Sequence, residues 1–510
     1  MRYITYAAIV IGSKNIIMRV YNISSGQIRR IDSIRHEYEL GKEAYTKKQI
    51  TFEQIEEICT VLLDFKNRLT EYGADKYTCY GTSVIRRASN QYAVLNHIKI
   101  RTGMDVIMLS NSEIRFLMYK GIQLSDLDFD TVIQKNTAIL DMGSGSVQVS
   151  LFDKKALYMT QNLDIGTAKV RELLETVENN TLNYYSVLEE YIEYEIDSFR
   201  SSFLKDKQIK NVITIGADIA HFRKIVPELA LGTLIHYDQI NYIYKKIRRA
   251  SYQDLSLQYG LTGEEARTMV PSLIIYKLFL EESRADTVYI CDTNLCDGSV
   301  VDYAQKKKKI EIGHDFYQDI IASARYIGKR YRYNKAHAEY VRTLCLEIFD
   351  HSAKFHGLSA RDRLVLEIAA ILHDIGKYVN MNDPGRNGYQ LILSTEIMGL
   401  SRREREELAN IVLYNTVDIP DSDENNSAFW QEEYLRIAKL SSILRLANAL
   451  DRSHKQKYQN ISMARKGKDL VITVESRMDI TLEINLFEKK ARGFREILGI
   501  RPILKQKNVL

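Results

Sequence analysis

The sequence predicts a multidomain fold of mixed class, two successive α/β halves followed by an all-α domain and a small α+β tail. Three observations predict it. Over residues 1–305, β-branched apolar runs alternate with helix-spaced ones, and both halves open on a strand, a Gly-Ser turn and a second strand. From Ala322 to about residue 455 the apolar residues recur almost entirely at helical spacing. A chain of 510 residues also exceeds one hydrophobic core, so three or four domains of about 100–200 residues are expected. The boundaries fall at 1–130, 131–305, 318–456 and 457–510, with the main break after the basic run QKKKK.

Element by element, residues 3–11 and 15–22 are strands joined by a Gly12-Ser13-Lys14 hairpin. Residues 51–71 place Ile55, Ile58, Cys59, Leu62, Leu63 and Phe65 at helical spacing behind a Thr51/Gln54 cap. A strand at 77–80, a helix at 83–99, a strand at 106–109 and a helix from about Ser112 complete the first half. The second half repeats the opening with strand 137–141, turn 143–145 and strand 147–152. Helices at 167–177 and 182–203, a strand at 211–215, helices to about 282 and a strand at 288–291 follow. In the tail, 470–475 and 480–486 are expected as strands and 488–498 as a helix.

Composition excludes several function classes. Hydrophobic residues make up 45% and charged residues 27%, as in an ordinary globular protein. The N-terminal apolar run is too short for a signal peptide, and no window reaches the roughly 18 apolar residues of a membrane span. The expected location is the cytoplasm. A net charge of +5 is too small to imply a DNA-binding protein. Five scattered cysteines without a CxxC pair are expected as reduced, buried thiols.

The two Gly-Ser hairpins carry the first candidate chemistry, because residues without bulky Cβ substituents let backbone N–H groups approach a phosphate. Ligands of such duplicated folds sit in the cleft between halves. The stretches AAIVIGSKN (7–15), YGTSVIRRASN (80–90), MLSNSEIRFLMYKGI (108–122), LDMGSGSVQVSLFD (140–153), LDIGTAKVREL (163–173), VITIGAD (212–218) and VYICDTNLCDG (288–298) appear in order. Together they resemble the motifs of the exopolyphosphatase and guanosine pentaphosphate phosphohydrolase (Ppx/GppA) family, which has the duplicated actin-like (ASKHA) ATPase-type fold. The resemblance implies a hydrolase acting on phosphoanhydrides, releasing terminal phosphate from inorganic polyphosphate or a guanosine penta- or tetraphosphate with Mg2+ in the cleft. It further implies a possible homodimer.

Carried over by position, the resemblance makes Gly12, Ser13, Lys14, Gly143, Ser144, Gly145 and Ser146 the phosphate cradle and Arg86 a phosphate-binding donor. Asp141 would hold the metal or its water shell, Glu113 would be the general base after a one-residue gap, and Gln148 occupies the place of a second catalytic acid. The chain departs from the family pattern at Val10 and Gln148, where acids are expected, at Lys14, and at Cys296, where a phosphate-contacting Arg is expected. Losing two carboxylates weakens Mg2+ binding, which relies on hard anionic oxygens.

A second constellation lies in the helical domain. The apolar helix LVLEIAAILHDIGKYV (364–379) is interrupted by His373-Asp374, and His337 shares a helical face with Val341, Leu344 and Ile348. Asp451 shares one with Leu440, Ile443, Leu444 and Ala447. Two imidazoles and two carboxylates on inward faces predict a divalent metal site. The set His337, His373, Asp374 and Asp451 resembles the ligands of HD phosphohydrolase domains, implying Mn2+, Fe2+ or Mg2+. Lys377 stands one turn past Asp374, and Asn415 stands where many relatives carry a further His.

Three functions are therefore open. One is phosphate release in the α/β cleft. Another is an HD-type phosphohydrolase or phosphodiesterase with the N-terminal half as sensor. The last is a non-catalytic polyphosphate- or alarmone-binding regulator.

Overall fold

Strand β1 (Ile4–Ile11) organises the first sheet because alternate residues face opposite cores. Ala7, Ile9 and Ile11 pack with Ile58, Leu62 and Phe65 of the helix Phe52–Glu71. Tyr6 and Ala8 pack on the other side with Cys296, Val300 and Ala304 of the helix Leu295–Lys306. The helix Phe52–Glu71 starts at the expected capping box, with Thr51 and Gln54 bonded reciprocally.

The computed structural model describes the chain apart from residues 1–2, 14, 39–47, 144, 168, 171–183, 206, 216–217, 228–233, 421–430 and 508–510. Lys14, Ser144 and most of the expected helix at 167–177 thus lie outside the described residues. The chain divides into unit 1, Met1–Asp319, and unit 2, Ile320–Leu510.

Unit 1 holds two sheets built on one plan. In the first, β2 (Asn15–Ser24) and β3 (Gln27–Glu37) pair antiparallel on one side of β1, and β4 (Lys76–Gly81) and β5 (Val106–Met108) parallel on the other. The second sheet repeats this around β6 (Thr137–Met142). Here β7 (Val147–Asp153) and β8 (Ala156–Leu163) are antiparallel on one side, and β9 (Asn211–Ile215) and β11 (Thr287–Cys291) parallel on the other. β10 (Leu234–His236) is added antiparallel at the edge. The strand order β3-β2-β1-β4-β5 answers β8-β7-β6-β9-β11-β10, so the repeated sequence pattern corresponds to a repeated topology.

The helices Asn111–Ile122 and Leu295–Lys306 cross at glycines: a Cβ on Gly298 would overlap the Leu117 carbonyl, and one on Gly121 would overlap Thr293 Oγ1. The five cysteines are buried and unpaired.

Unit 2 is a helical bundle bearing a small sheet. The helix Lys335–His356 packs on Ala360–Leu372 and on Gln431–Leu450. The helix Thr481–Leu498 packs on Gln431–Leu450, beside the sheet β12 (Asn460–Lys466), β13 (Asp469–Glu475) and β14 (Arg501–Lys507).

Several elements differ from expectation. Of the stretch 480–486, Ile480 precedes and 481–486 open the helix Thr481–Leu498 instead of a strand: the alternation of Ile480, Leu482, Ile484 and Leu486 is misleading, because Leu482 is exposed while Glu483 is buried on Ser453 and Lys457. The helix expected at 83–99 breaks at extended Ala88 into Ser83–Arg87 and Gln91–Thr102. Among the described residues no helix is long and apolar enough to cross a membrane.

Candidate functional site

The first site is built by two hairpins of the same geometry, at the ends of corresponding strands. At the end of β1, Gly12 N donates to Asn15 O at 2.9 Å, and at the end of β6, Gly143 N donates to Ser146 O at 3.0 Å. A Cβ on Gly12 would stand 3.1 Å from the Asn15 carbonyl oxygen and one on Gly143 3.0 Å from that of Ser146, so a side chain would crowd both turns. Gly12, Ser13, Gly143, Gly145 and Ser146 are half-buried at the tips. Tyr38 OH and Thr82 Oγ1 fix the first hairpin through the carbonyls of Gly12 (2.8 Å) and Ile11 (3.0 Å).

The side chains around the hairpins divide into struts and exposed groups. Arg86 donates to the Leu109 carbonyl and to Asn111 Oδ1, tying the helix Ser83–Arg87 to the start of the helix Asn111–Ile122. Its neighbour Arg87 is exposed and reaches the second hairpin, with Nη1 3.7 Å from where a Cβ on Gly145 would be. Glu113 sits at the third position of the helix Asn111–Ile122, where Oε2 accepts from Ser110 N and Ser110 Oγ, both at 2.8 Å. This capping box uses the carboxylate that sequence reasoning assigned to water activation.

Asp141 and Gln148 are direct cross-strand partners on β6 and β7. Burial pushes the Asp141 carboxyl up to about 6, with the Arg115 guanidinium pulling the other way. Arg115 is 1% exposed and donates from Nε to Gln148 Oε1 at 2.7 Å and from Nη1 to Thr160 Oγ1. Gln148 therefore presents its oxygen to an arginine and keeps amide hydrogens for other acceptors. Val10 pairs with Ile17 across β1 and β2 and supplies no donor. For a cation the cleft thus offers the Asp141 carboxylate, a ligand count that Mg2+ accepts when water and substrate phosphate fill the remaining positions.

The second site lies in unit 2. His337 and His373 are at most 1% exposed. His337 Nδ1 contacts Asp451 Oδ2 at 2.8 Å, and His373 Nδ1 contacts the Ala370 carbonyl at 2.7 Å. A carbonyl and a carboxylate only accept, so both rings carry a proton on Nδ1 and turn Nε2 toward each other. Those two Nε2 atoms stand 3.1 Å apart. Asp374 adds Oδ2 3.8 Å from His337 Nε2 and Oδ1 3.7 Å from His373 Nε2. Although burial opposes ionisation, His373, Lys377 and His337 hold the Asp374 carboxyl down at about 2. Lys377 Nζ donates to Asp374 Oδ2 at 2.5 Å. Nε2 atoms this close either share a proton or flank a cation, and nitrogens about 2.1 Å from one ion at right angles are about 3.0 Å apart. The residues therefore fit a divalent ion.

Comparison with known proteins then places the chain. Residues 19–307, more than half of it, match the model of the Ppx/GppA phosphatase family, and residues 321–489 match Ppx/GppA phosphatase domain III. The chain belongs to the Ppx/GppA phosphatase family. It is 20% identical over 451 residues to the guanosine-5'-triphosphate,3'-diphosphate pyrophosphatase of Photobacterium profundum, covering 86% of each chain. The pyrophosphatase of the same name from Vibrio cholerae is 21% identical over 422 residues, covering 80% of each. Among solved structures, the Aquifex aeolicus Ppx/GppA family member superposes with a TM-score of 0.52 at 19% identity, over 60% of this chain and 99% of that one. An exopolyphosphatase from Cytophaga hutchinsonii gives 0.51 at 16%, over 61% and 99%. These likenesses establish the actin-like Ppx/GppA fold.

Within that family fold, the structure adds residues that sequence reasoning missed. Arg115 was legible as one of two cations, with Lys120, in the apolar run Ile114–Ile122, and its burial against Gln148 needed the fold. Arg87 was passed over in favour of Arg86. His454, three residues past Asp451, brings a ligand atom within 4.8 Å of ligand atoms of His337 and Asp374. It lies beyond the end of the helix Gln431–Leu450, where helical spacing no longer applies.

Proposed function

We propose that the chain releases terminal phosphate from inorganic polyphosphate or a guanosine pentaphosphate, in the cleft of unit 1. The observation that carries this reading is the pair of equivalent glycine hairpins, Gly12–Asn15 and Gly143–Ser146, the second of which follows Asp141 at the end of β6. The names of the relatives support the substrate class. Gly12 and Gly143 spend their N–H groups closing the two turns, which leaves the backbone N–H groups of Ser13, Gly145 and Ser146 to cradle phosphate oxygens, with Lys14 and Ser144 in the same two loops of the sequence. Arg86 braces the cleft wall, and Arg87 is the exposed guanidinium beside the second loop. A divalent ion such as Mg2+ supplies charge neutralisation across the phosphate oxygens when bound, and Asp141 would hold it. Gln148, oriented by Arg115, donates to a water or a phosphate oxygen. Glu113 is the carboxylate available to take the water's proton as the new P–O bond forms and the phosphoanhydride bond breaks, which requires it to leave Ser110. The test is phosphate release by the purified protein from polyphosphate and from pppGpp with Mg2+. Release should fall at least about 100-fold in Glu113→Gln; no release from either substrate, or an undiminished variant, contradicts the reading.

A second reading is favoured by the facing Nε2 atoms of unit 2: a metal-dependent phosphohydrolase or phosphodiesterase of HD type, using His337, His373, Asp374 and Asp451 with Mn2+, Fe2+ or Mg2+. The ion supplies Lewis acidity and a nucleophilic hydroxide when bound. Lys377, bonded to Asp374, would meet substrate phosphate. Phosphate or phosphodiester cleavage that survives His373→Ala with Asp374→Ala rules this reading out.

A further inference from the structure

We infer that Arg87, not Arg86, is the guanidinium that binds substrate phosphate in the cleft of unit 1, reaching from the first half to the hairpin of the second. The inference rests on the phosphate-release reading and names the side-chain cation of that site.

The short helix Ser83–Arg87 carries two adjacent arginines, and consecutive helical positions point about 100° apart, so the two face different surroundings. Arg86 turns to the wall of the cleft. Its Nη1 donates to the Leu109 carbonyl and its Nη2 to Asn111 Oδ1, and it is half-buried. Moving it onto a ligand would strip both bonds from the start of the helix Asn111–Ile122. Arg87 is the last residue of its own helix, which ends there because Ala88 is extended, with ψ 132°. It is exposed and, among the described residues, makes no hydrogen bond or ion pair.

Its direction is the second observation. Arg87 Nη1 stands 3.7 Å from where a Cβ on Gly145 would be, so the open side of that glycine faces a guanidinium. Gly143 N is spent closing the turn, which leaves the N–H groups of Gly145 and Ser146 for a ligand. Backbone N–H dipoles and a guanidinium present their positive ends to the same space, an arrangement that an anion relieves. The planar fork of an arginine can give two parallel N–H bonds to phosphate oxygens, where an ammonium gives a point charge. The helix of Arg87 follows β4 of the first sheet, whereas Gly145 lies between β6 and β7 of the second. A phosphate held by both therefore links the two halves. Arg87 touches substrate and moves no proton, so its loss acts on binding.

The experiment titrates the full chain with imidodiphosphate, whose P–N–P bridge resists hydrolysis, in the presence of Mg2+, and follows thermal unfolding of the free protein. The wild type should bind it. Arg87→Gln should lose at least about tenfold in affinity while the Tm of the free protein stays unchanged, because no bond within the fold is lost. Arg87→Lys, which keeps the charge and loses the fork, should fall between the two. Arg86→Gln, by contrast, should lower the Tm of the free protein, as removal of a strut does. In phosphate release from polyphosphate, Arg87→Gln should raise KM by a factor similar to its loss of affinity. Wild-type affinity and KM in Arg87→Gln would overturn the inference and leave the phosphate-release reading standing. A wild type that neither binds imidodiphosphate nor releases phosphate overturns both.

Discussion

Gln148 is the residue where the shape of the family's cleft and its charge part company. Its backbone holds the expected register opposite Asp141, but its oxygen accepts from the buried Arg115 where a carboxylate would have formed an ion pair. A restored acid would meet a ready guanidinium, so Gln148→Glu should fold without penalty and add an anionic oxygen next to Asp141. The expected outcome is a several-fold lower Mg2+ concentration for half-maximal phosphate release; an unchanged Mg2+ requirement would show that this position does not face the ion. At this scale the sequence was a good guide wherever chemistry demands one residue type. Gly12 and Gly143 were legible because glycine suits a turn in which a Cβ would crowd the carbonyl three residues on. His337, His373 and Asp374 were legible because polar groups interrupted apolar helical faces. Glu113 shows the limit: the Ser110-x-x-Glu113 spacing is equally that of a capping box, and the structure uses it as one.

Elements were legible in proportion to their burial. The central strands β1, β4, β6, β7, β9 and β11 carry the apolar runs that announce strands, and all were anticipated. The strands that went unanticipated, β3, β8, β10, β12 and β14, are all at sheet edges. Edge strands keep polar residues on solvated faces, so the run QIRRIDSIRHE of β3 lacks the apolar period that marks a strand. The helix Phe316–Arg330 gives a prediction of its own. Just before it, His314 is 6% exposed and lies between Asp319 Oδ2, 2.6 Å from Nε2, and Asp130 Oδ1, 3.2 Å from Nδ1, with Lys155 3.8 Å from Asp130 Oδ2. Burial works against the imidazolium, but Asp319 and then Asp130 outweigh it and raise the His314 pKa. A raised folded pKa means that the stabilisation is complete below the unfolded value of about 6.5 and is lost as pH rises through the folded value. Chemical denaturation should therefore show unit 1 weakening above about pH 6.5, with His314→Gln flattening that slope. Asp319→Ala should cost about 3–5 kcal/mol, because it leaves a buried partner uncompensated. An identical pH slope in wild type and His314→Gln would refute the clamp.

At the scale of the whole molecule, the order of many moderate motifs along the chain carried more information than any one of them. The duplicated opening predicted the duplicated sheets because each Gly-Ser hairpin can form only between two strands that are already neighbours. What the sequence left open was which centre does the chemistry, since one set of residues sits in unit 1 and the other in unit 2. The two sets share no residue, so each can be disabled alone. The most direct measurement is the rate of phosphate release from polyphosphate and pppGpp by wild type, by Asp141→Asn, and by His373→Ala with Asp374→Ala. If the cleft of unit 1 is the working site, Asp141→Asn loses at least about 100-fold, roughly 2.7 kcal/mol of barrier, and the double variant keeps its rate within a few-fold. The opposite pattern, release untouched by Asp141→Asn and abolished in the double variant, would contradict the account.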